Sequence, residues 1–308
     1  MNPVSAKSAT IRERVLLGLA RNRHPGLHFA GNFAGLAFGD APAGESRLHM
    51  PAGAHLAAAD GEASLGAVAM LADVALGVAI RSRLAPESRL ATVALHLQLT
   101  GAALAGALDA HGIFESFLDA APGKQGLARV GVSNGAGTAA FGSGAFMTLP
   151  PPAGVTLHPV VQRRPDTPLA EEELDDAERT VLRHADASLA RADAHHAFIS
   201  HFWGCVPERT QDGARCVTPN GIQVANRVGH VQGGLLVGLA GTTAQAALGT
   251  DWRLSSISSW FVSPGEGESL ETRSTVEHRG RLTAVVRSEI LGAGGRRVLH
   301  SVSSHALR

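Results

Sequence analysis

Apolar and polar positions along the chain fall into two successive sets with the same order: a leading helix, short strands, a long apolar helix, then about four strands. Residues 5–20 place Ile11, Val15, Leu16 and Leu19 at helical spacing, which predicts an amphipathic helix. A Gly-rich stretch follows, with strand-like pieces at 36–38 and 47–50. Residues 65–84 are apolar on nearly every face, which predicts a helix wrapped by other elements, and Pro86 stops it. Segments 92–99, 106–117, 128–133 and 138–147 have strand character.

The run PPPAGVTLHPVVQRRPDTP within 149–169 disfavours helix and central strand alike and reads as a linker. After it comes a charged helix at 170–194, whose acidic first turns suit the helix dipole. A strand pair at 215–218 and 221–226, a Gly-led helix at 233–248, and strands at 253–262, 269–278, 283–291 and 297–306 complete the second set. The expected organisation is α+β: one module over 1–148, the linker at 149–169, and a second module over 170–308. In each, an antiparallel sheet wraps a central helix.

The repeat is legible residue by residue at the long helices, where LGAVAMLAD (65–73) lies over GGLLVGLAG (233–241). The two copies differ in the residue types that do chemistry. The second has Asn226, then His230 and Gln232, then Gly233 and Gly234, where the first has Ala58 and Leu65-Gly66. The first has Asp73, among Val68, Met70, Leu71, Val74 and Leu76, where the second has Gly241. A carboxylate in such surroundings is costly unless it is paired or hydrogen-bonded. Its structural reading is a partner for an arginine such as Arg81. Gly233 and Gly234 can also serve close packing, Asn226 a turn, and Thr92 an ordinary strand position.

Charge narrows the function classes. Lys and Arg number 27, as do Asp and Glu, so the basic excess of a nucleic-acid or anionic-membrane surface is absent. No stretch reaches the ~20 apolar residues of a membrane helix, and the first residues lack an apolar signal region. A cytoplasmic protein is expected. Cys205 and Cys216 lack metal-ligand spacing; a free pair is favoured over a disulfide between them. His195, His196 and His201 have no matching Cys or acidic ligands, so no metal site is expected. Gly131-Val132-Ser133-Asn134-Gly135 matches a nucleophile elbow, but the glycine-rich residues after it predict a turn between strands, not the required helix.

A Gly-Gly pair opening a buried helix, with Leu-Ala-Asp two turns into its counterpart, resembles the hotdog fold. More narrowly it is similar to the small acyl-CoA thioesterases of the PaaI-like group, whose usual signature is His-Gly-Gly followed by an apolar stretch and Leu-Ala-Asp. The resemblance covers about residues 30–148 and 210–307. It implies two tandem hotdog units forming a pseudo-dimer within one chain, with chemistry at their interface. It further implies that Asn226 and the Gly233 N–H hold a thioester carbonyl. Asp73, helped by Thr92, would activate water or attack as a nucleophile; the residues leave both open. Gly234, Gln232 and His230 would line the substrate site, with Gln232 standing where the family commonly has His. Coenzyme A enters as part of the substrate, without a metal or redox cofactor, and further association into a homo-oligomer is compatible with it. The alternatives are a non-catalytic acyl-thioester binding module and a hotdog hydratase or dehydratase. The latter pattern has a His a few residues after the Asp, where this chain has Val74-Ala75-Leu76-Gly77-Val78.

Overall fold

The computed structural model describes residues 3–85, 88–120, 123–149 and 165–308. Pro86 and most of the linker, 150–164, lie outside them. The first half runs α1 (Pro3–Asn22), α2 (Phe29–Ala34), β1 (Ala37–Gly39), β2 (Glu45–Ala52), α3 (Leu65–Arg81), β3 (Arg89–Leu99), β4 (Gly106–Ala120), β5 (Gly123–Asn134) and β6 (Gly137–Leu149). The second repeats it: α4 (Asp176–Arg191), α5 (Phe198–Phe202), β7 (Glu208–Arg209), β8 (Gly213–Pro219), α6 (Gly233–Leu248), β9 (Trp252–Phe261), β10 (Ser269–Arg279), β11 (Thr283–Leu291) and β12 (Arg297–Leu307).

All twelve strands form one antiparallel sheet in the order β1-β2-β4-β5-β6-β3-β9-β12-β11-β10-β8-β7. The second half of that order is the first read backwards, as a two-fold between β3 and β9 requires. The axis passes at the pair His96↔Ser258. It relates the bulge that β3 makes against β6 beyond Thr92 to the bulge that β9 makes against β12 beyond Leu254. Thr92 and Leu254 are therefore equivalent positions.

The sheet curves around α3 and α6, which are apolar all round and buried along most of their length. A Cβ on Gly234 would lie 2.4 Å from the Met70 backbone, and one on Gly238 only 2.3 Å from Gly66 Cα. Position 234 faces 70 while 238 faces 66, so the helices run antiparallel, in backbone contact. Only glycine permits that approach.

Outside the sheet, Arg12 of α1 pairs with Asp186 of α4 and with Glu171 just before that helix, and Arg23, just beyond α1, pairs with Glu178 of α4. Asp175 and Glu178 form a capping box at the start of α4. Two features depart from the sequence reading. The short helices α2 and α5 replace irregular chain, their aromatic residues Phe29, Phe33, Phe198 and Phe202 packed into one cluster of stacked, tilted and edge-on rings. Residues 221–226 are turns rather than a strand, closed by the Val224 and Ala225 N–H groups donating to the Gly221 carbonyl at 3.0 and 2.9 Å, and beyond them Asn226 Oδ1 accepts the N–H groups of Val228 (3.0 Å) and His230 (3.1 Å). An Asn side chain that satisfies nearby backbone donors competes with a ladder. No helix among the described residues is long and apolar enough to cross a membrane.

Candidate active site

Asp73 lies two turns into α3, only 7% exposed, where that helix meets the N-terminus of α6. Its Oδ1 accepts from Thr92 Oγ1 at 3.0 Å, and its Oδ2 from Gln232 Nε2 at 2.7 Å. The Gly234 N–H donates to it as well. Gln232 cannot swing away, because its Oε1 accepts the Leu235 N–H at 2.9 Å and thereby caps α6. The cap fixes the amide with its nitrogen toward the carboxylate. Burial pushes the Asp73 carboxyl up from 3.8 to about 6, and the donors from Thr92, Gln232 and Gly234 only partly restrain it.

Gly233 is the neighbouring wall. A Cβ there would stand 3.2 Å from Asp73 Oδ2 and 3.3 Å from Thr92 Oγ1, so the absent side chain keeps space open beside the carboxylate. The first backbone N–H groups of a helix have no intrahelical acceptor and carry the positive end of its dipole. The Gly234 N–H is directed to Asp73; no acceptor among the described residues takes that of Gly233. This corner opens into a cleft of about 670 Å³ that also meets Val74, Phe146, Leu236 and Phe261. A second cleft, about 380 Å³ beside Arg14 and His55, has no carboxylate in its wall.

The structure thus brings Asp73 and Thr92 of the first half together with Asn226, His230, Gln232, Gly233 and Gly234 of the second. Their engagements differ in detail from the sequence reading. Gln232 and Gly234, read as substrate contacts, donate to Asp73. His230 faces Glu266 Oε1 at 3.1 Å on the cleft wall, and burial lowers its pKa. Asn226 shapes the turn through Oδ1, which leaves its Nδ2 donor without an acceptor among the described residues. Arg81 lines the cleft and donates to the Ser88 carbonyl. Arg83 lies over Phe114, Arg273 pairs with Glu271 and Arg279 lies over Trp252. Sequence reasoning missed Arg89, Arg227 and His28, which line the same cleft. The turn containing Arg227 was the one available signal.

The dyad-related corner is built from Ser64, Leu65, Gly241 and Leu254, and it is filled. A Cβ on Gly241 would lie 2.3 Å from Leu65 Cδ2 and 3.5 Å from Leu254 Cδ2. Leucine methyl groups stand where the Asp73 corner has its carboxylate and hydroxyl. Adding Gly241→Asp to Asp73→Ala therefore restores no activity and lowers the melting temperature further, which thiol-release and thermal-melt assays on the double variant check.

Ser133 stands next to the last residue of β5, in a hairpin whose turn is held by Asn134 Oδ1, and β6 rather than a helix follows it. Cys205 and Cys216 are free thiols. Among the described residues, no group of three or more His, Cys, Asp and Glu side chains is placed to hold a metal.

No family model matches the chain, and no curated protein matches it. Solved structures do. A provisionally named thioesterase from Novosphingobium aromaticivorans aligns over 89% of this chain and 98% of its own, with TM-score 0.55 and 13% identity. A conserved protein of unknown function with a hot dog fold, from Alicyclobacillus acidocaldarius, aligns over 88% and 96%, with TM-score 0.55 and 10% identity. A provisionally named oleoyl thioesterase from Lactobacillus plantarum covers 87% and 98%, with TM-score 0.54 and 9% identity. At such identities the likeness defines the fold: this is a double hotdog protein. Nearly the whole length of each neighbour is matched, so the tandem arrangement is shared as well as the single unit.

Proposed function

We propose that the chain is an acyl-CoA thioesterase with one working site, assembled from both halves. The observation that carries the reading is a buried carboxylate, held by three donors, beside a helix N-terminus that leaves one N–H free at an open glycine wall. Thioester hydrolysis needs a base for water and a donor for the carbonyl oxygen as negative charge develops there. Asp73 takes the proton of the attacking water. The Gly233 N–H, with the Asn226 amide, stabilises the oxyanion. Collapse of the tetrahedral intermediate breaks the carbon–sulfur bond, and the thiolate leaves to be protonated as free thiol. We assign Asp73 as base rather than nucleophile because both its oxygens are already hydrogen-bonded, which favours holding a water over attack. Coenzyme A enters as part of the substrate, its phosphates facing Arg89 and Arg81 at the rim.

The base must be ionised, so kcat/KM rises with pH along a limb centred near 6, the value to which burial moves Asp73. Thiol release from a panel of acyl-CoAs, followed from pH 5 to 8, tests this. A rising limb supports the reading; release with no dependence across that window contradicts the role of Asp73. No release from any member contradicts the function.

A further inference from the structure

Gly77 stands one turn beyond Asp73, well inside α3, and lines the same cleft. Glycine within a helix costs stability relative to alanine, so it is kept where something requires it. Elsewhere in α3 and α6 the requirement is close approach. A Cβ on Gly66, Gly233, Gly234, Gly238 or Gly241 would meet an atom of the facing helix at 3.3 Å or less. Gly77 carries no such demand. Beyond its own helix, the nearest described atom to a Cβ there would be Phe146 Cε1 at 3.6 Å, an ordinary contact. Its φ is not positive either, so any residue could adopt its backbone conformation.

What the missing side chain leaves is room in the cleft. Residues four apart on a helix stand about 6 Å apart on its surface, so this room opens one turn from Asp73. Gly77 is half-buried, and the space over it is reached from the cleft. Val74, three residues earlier on the same face, and Phe146 border it. Such walls suit the carbon chain of an acyl group. The amide- and phosphate-bearing carrier finds its partners instead at Arg81 and Arg89.

We propose that Gly77 is a specificity-determining position: its open face admits acyl groups that extend about one helical turn beyond the reacting carbonyl, so that medium-chain rather than acetyl thioesters are the preferred substrate class. This rests on the thioesterase reading and adds a specificity residue to it. A longer chain gains apolar contact there that a short one cannot make. A side chain at 77 would occupy the same space.

The test is kcat/KM across straight-chain acyl-CoAs from acetyl to decanoyl, for the native protein, Gly77→Ala and Gly77→Leu. The native protein is expected to favour hexanoyl- over acetyl-CoA by at least about tenfold. Gly77→Leu cuts that ratio by at least about tenfold, and the ratio is insensitive to a general loss of folded protein. Gly77→Ala cuts it less, yet raises Tm by about 2 °C, because alanine suits a helix better and meets no clash. A native preference for acetyl-CoA, or a ratio that survives Gly77→Leu, overturns the proposal. So does an equal loss at every chain length, which assigns the space to the carrier, and so does a lowered Tm in Gly77→Ala, which assigns the glycine to packing. Calorimetric binding of the same acyl-CoAs to Asp73→Asn, with and without Gly77→Leu, separates this from the hydrolysis reading. A Gly77-dependent length preference in binding, without thiol release by the native protein, upholds the specificity position and sinks the thioesterase. Release without any such preference does the reverse, and the absence of both ends both.

Discussion

Asp73→Asn is expected to abolish thiol release and, at pH 7 and above, to stabilise the protein. Removing a general base costs roughly 10²–10⁴ in rate. The stability half follows from the buried carboxyl. Its pKa is higher in the native state, about 6, than its ordinary 3.8, so the native protein binds a proton more tightly than the unfolded chain between those values. Stability therefore falls as pH rises through that window, and above it the ionised carboxylate costs the fold about 3 kcal/mol. Asparagine carries no such cost. Its oxygen can accept from Gln232 and Gly234, and its amide can donate to the Thr92 hydroxyl turned around. Denaturant titrations at pH 5 and pH 8 check this. The gain of the variant over the native protein should be larger at pH 8, up to about 3 kcal/mol less any imperfection in the new hydrogen bonds. A gain independent of pH, or a loss that deepens with pH, contradicts the account of a strained, functional carboxylate.

The second large effect concerns the seam between the halves. Gly238→Ala places a methyl 2.3 Å from Gly66 Cα and 2.7 Å from Gly66 N, backbone atoms that no rotamer change can move. Helices α6 and α3 must separate. Overpacking of this kind costs roughly 3 kcal/mol, at the upper end of the usual range. Because Asp73 is on one helix and Gly233 on the other, the same displacement pulls the carboxylate away from the donor wall. Activity should fall further than the folded fraction does. Gly66→Ala is the contrast: its methyl would meet only side-chain atoms of Leu235 and Trp203, at 3.3 and 3.4 Å, and it should cost less than about 1 kcal/mol. Thermal melts and thiol release on both variants check the pair. Equal, mild effects would mean that the helix contact is not what holds the halves together.

Much of this architecture is legible in the sequence because its signals are long. An apolar helix of some sixteen residues, repeated with a recognisable Gly/Ala pattern, survives single-residue noise, and a strand meander follows each copy. The difference between the two corners is legible too, since Leu65 and Gly241 differ in chemical type from their partners Gly233 and Asp73. What escaped was decided by contacts between distant segments. The turn at 221–226 is closed on the Gly221 carbonyl by backbone bonds, whereas its composition suits a strand. Gln232 appeared as a substitution for a family His. Only the fold shows that its amide both caps α6 and holds Asp73, a combination an amide achieves without titrating. Leu254 was invisible as the counterpart of Thr92 until the bulges of β3 and β9 set the register. His28 lies in a segment with no repeat and no periodicity, and reaches the cleft only because Arg227 fastens that segment to the second half.

Thiol release by the native protein and by Asp73→Asn, followed side by side at pH 7.5 across one acyl-CoA panel, tests the central claim most directly. The account predicts release from at least one acyl-CoA by the native chain, and none above background from a variant that is folded and at least as stable. Comparable release from both would place the chemistry elsewhere and contradict it.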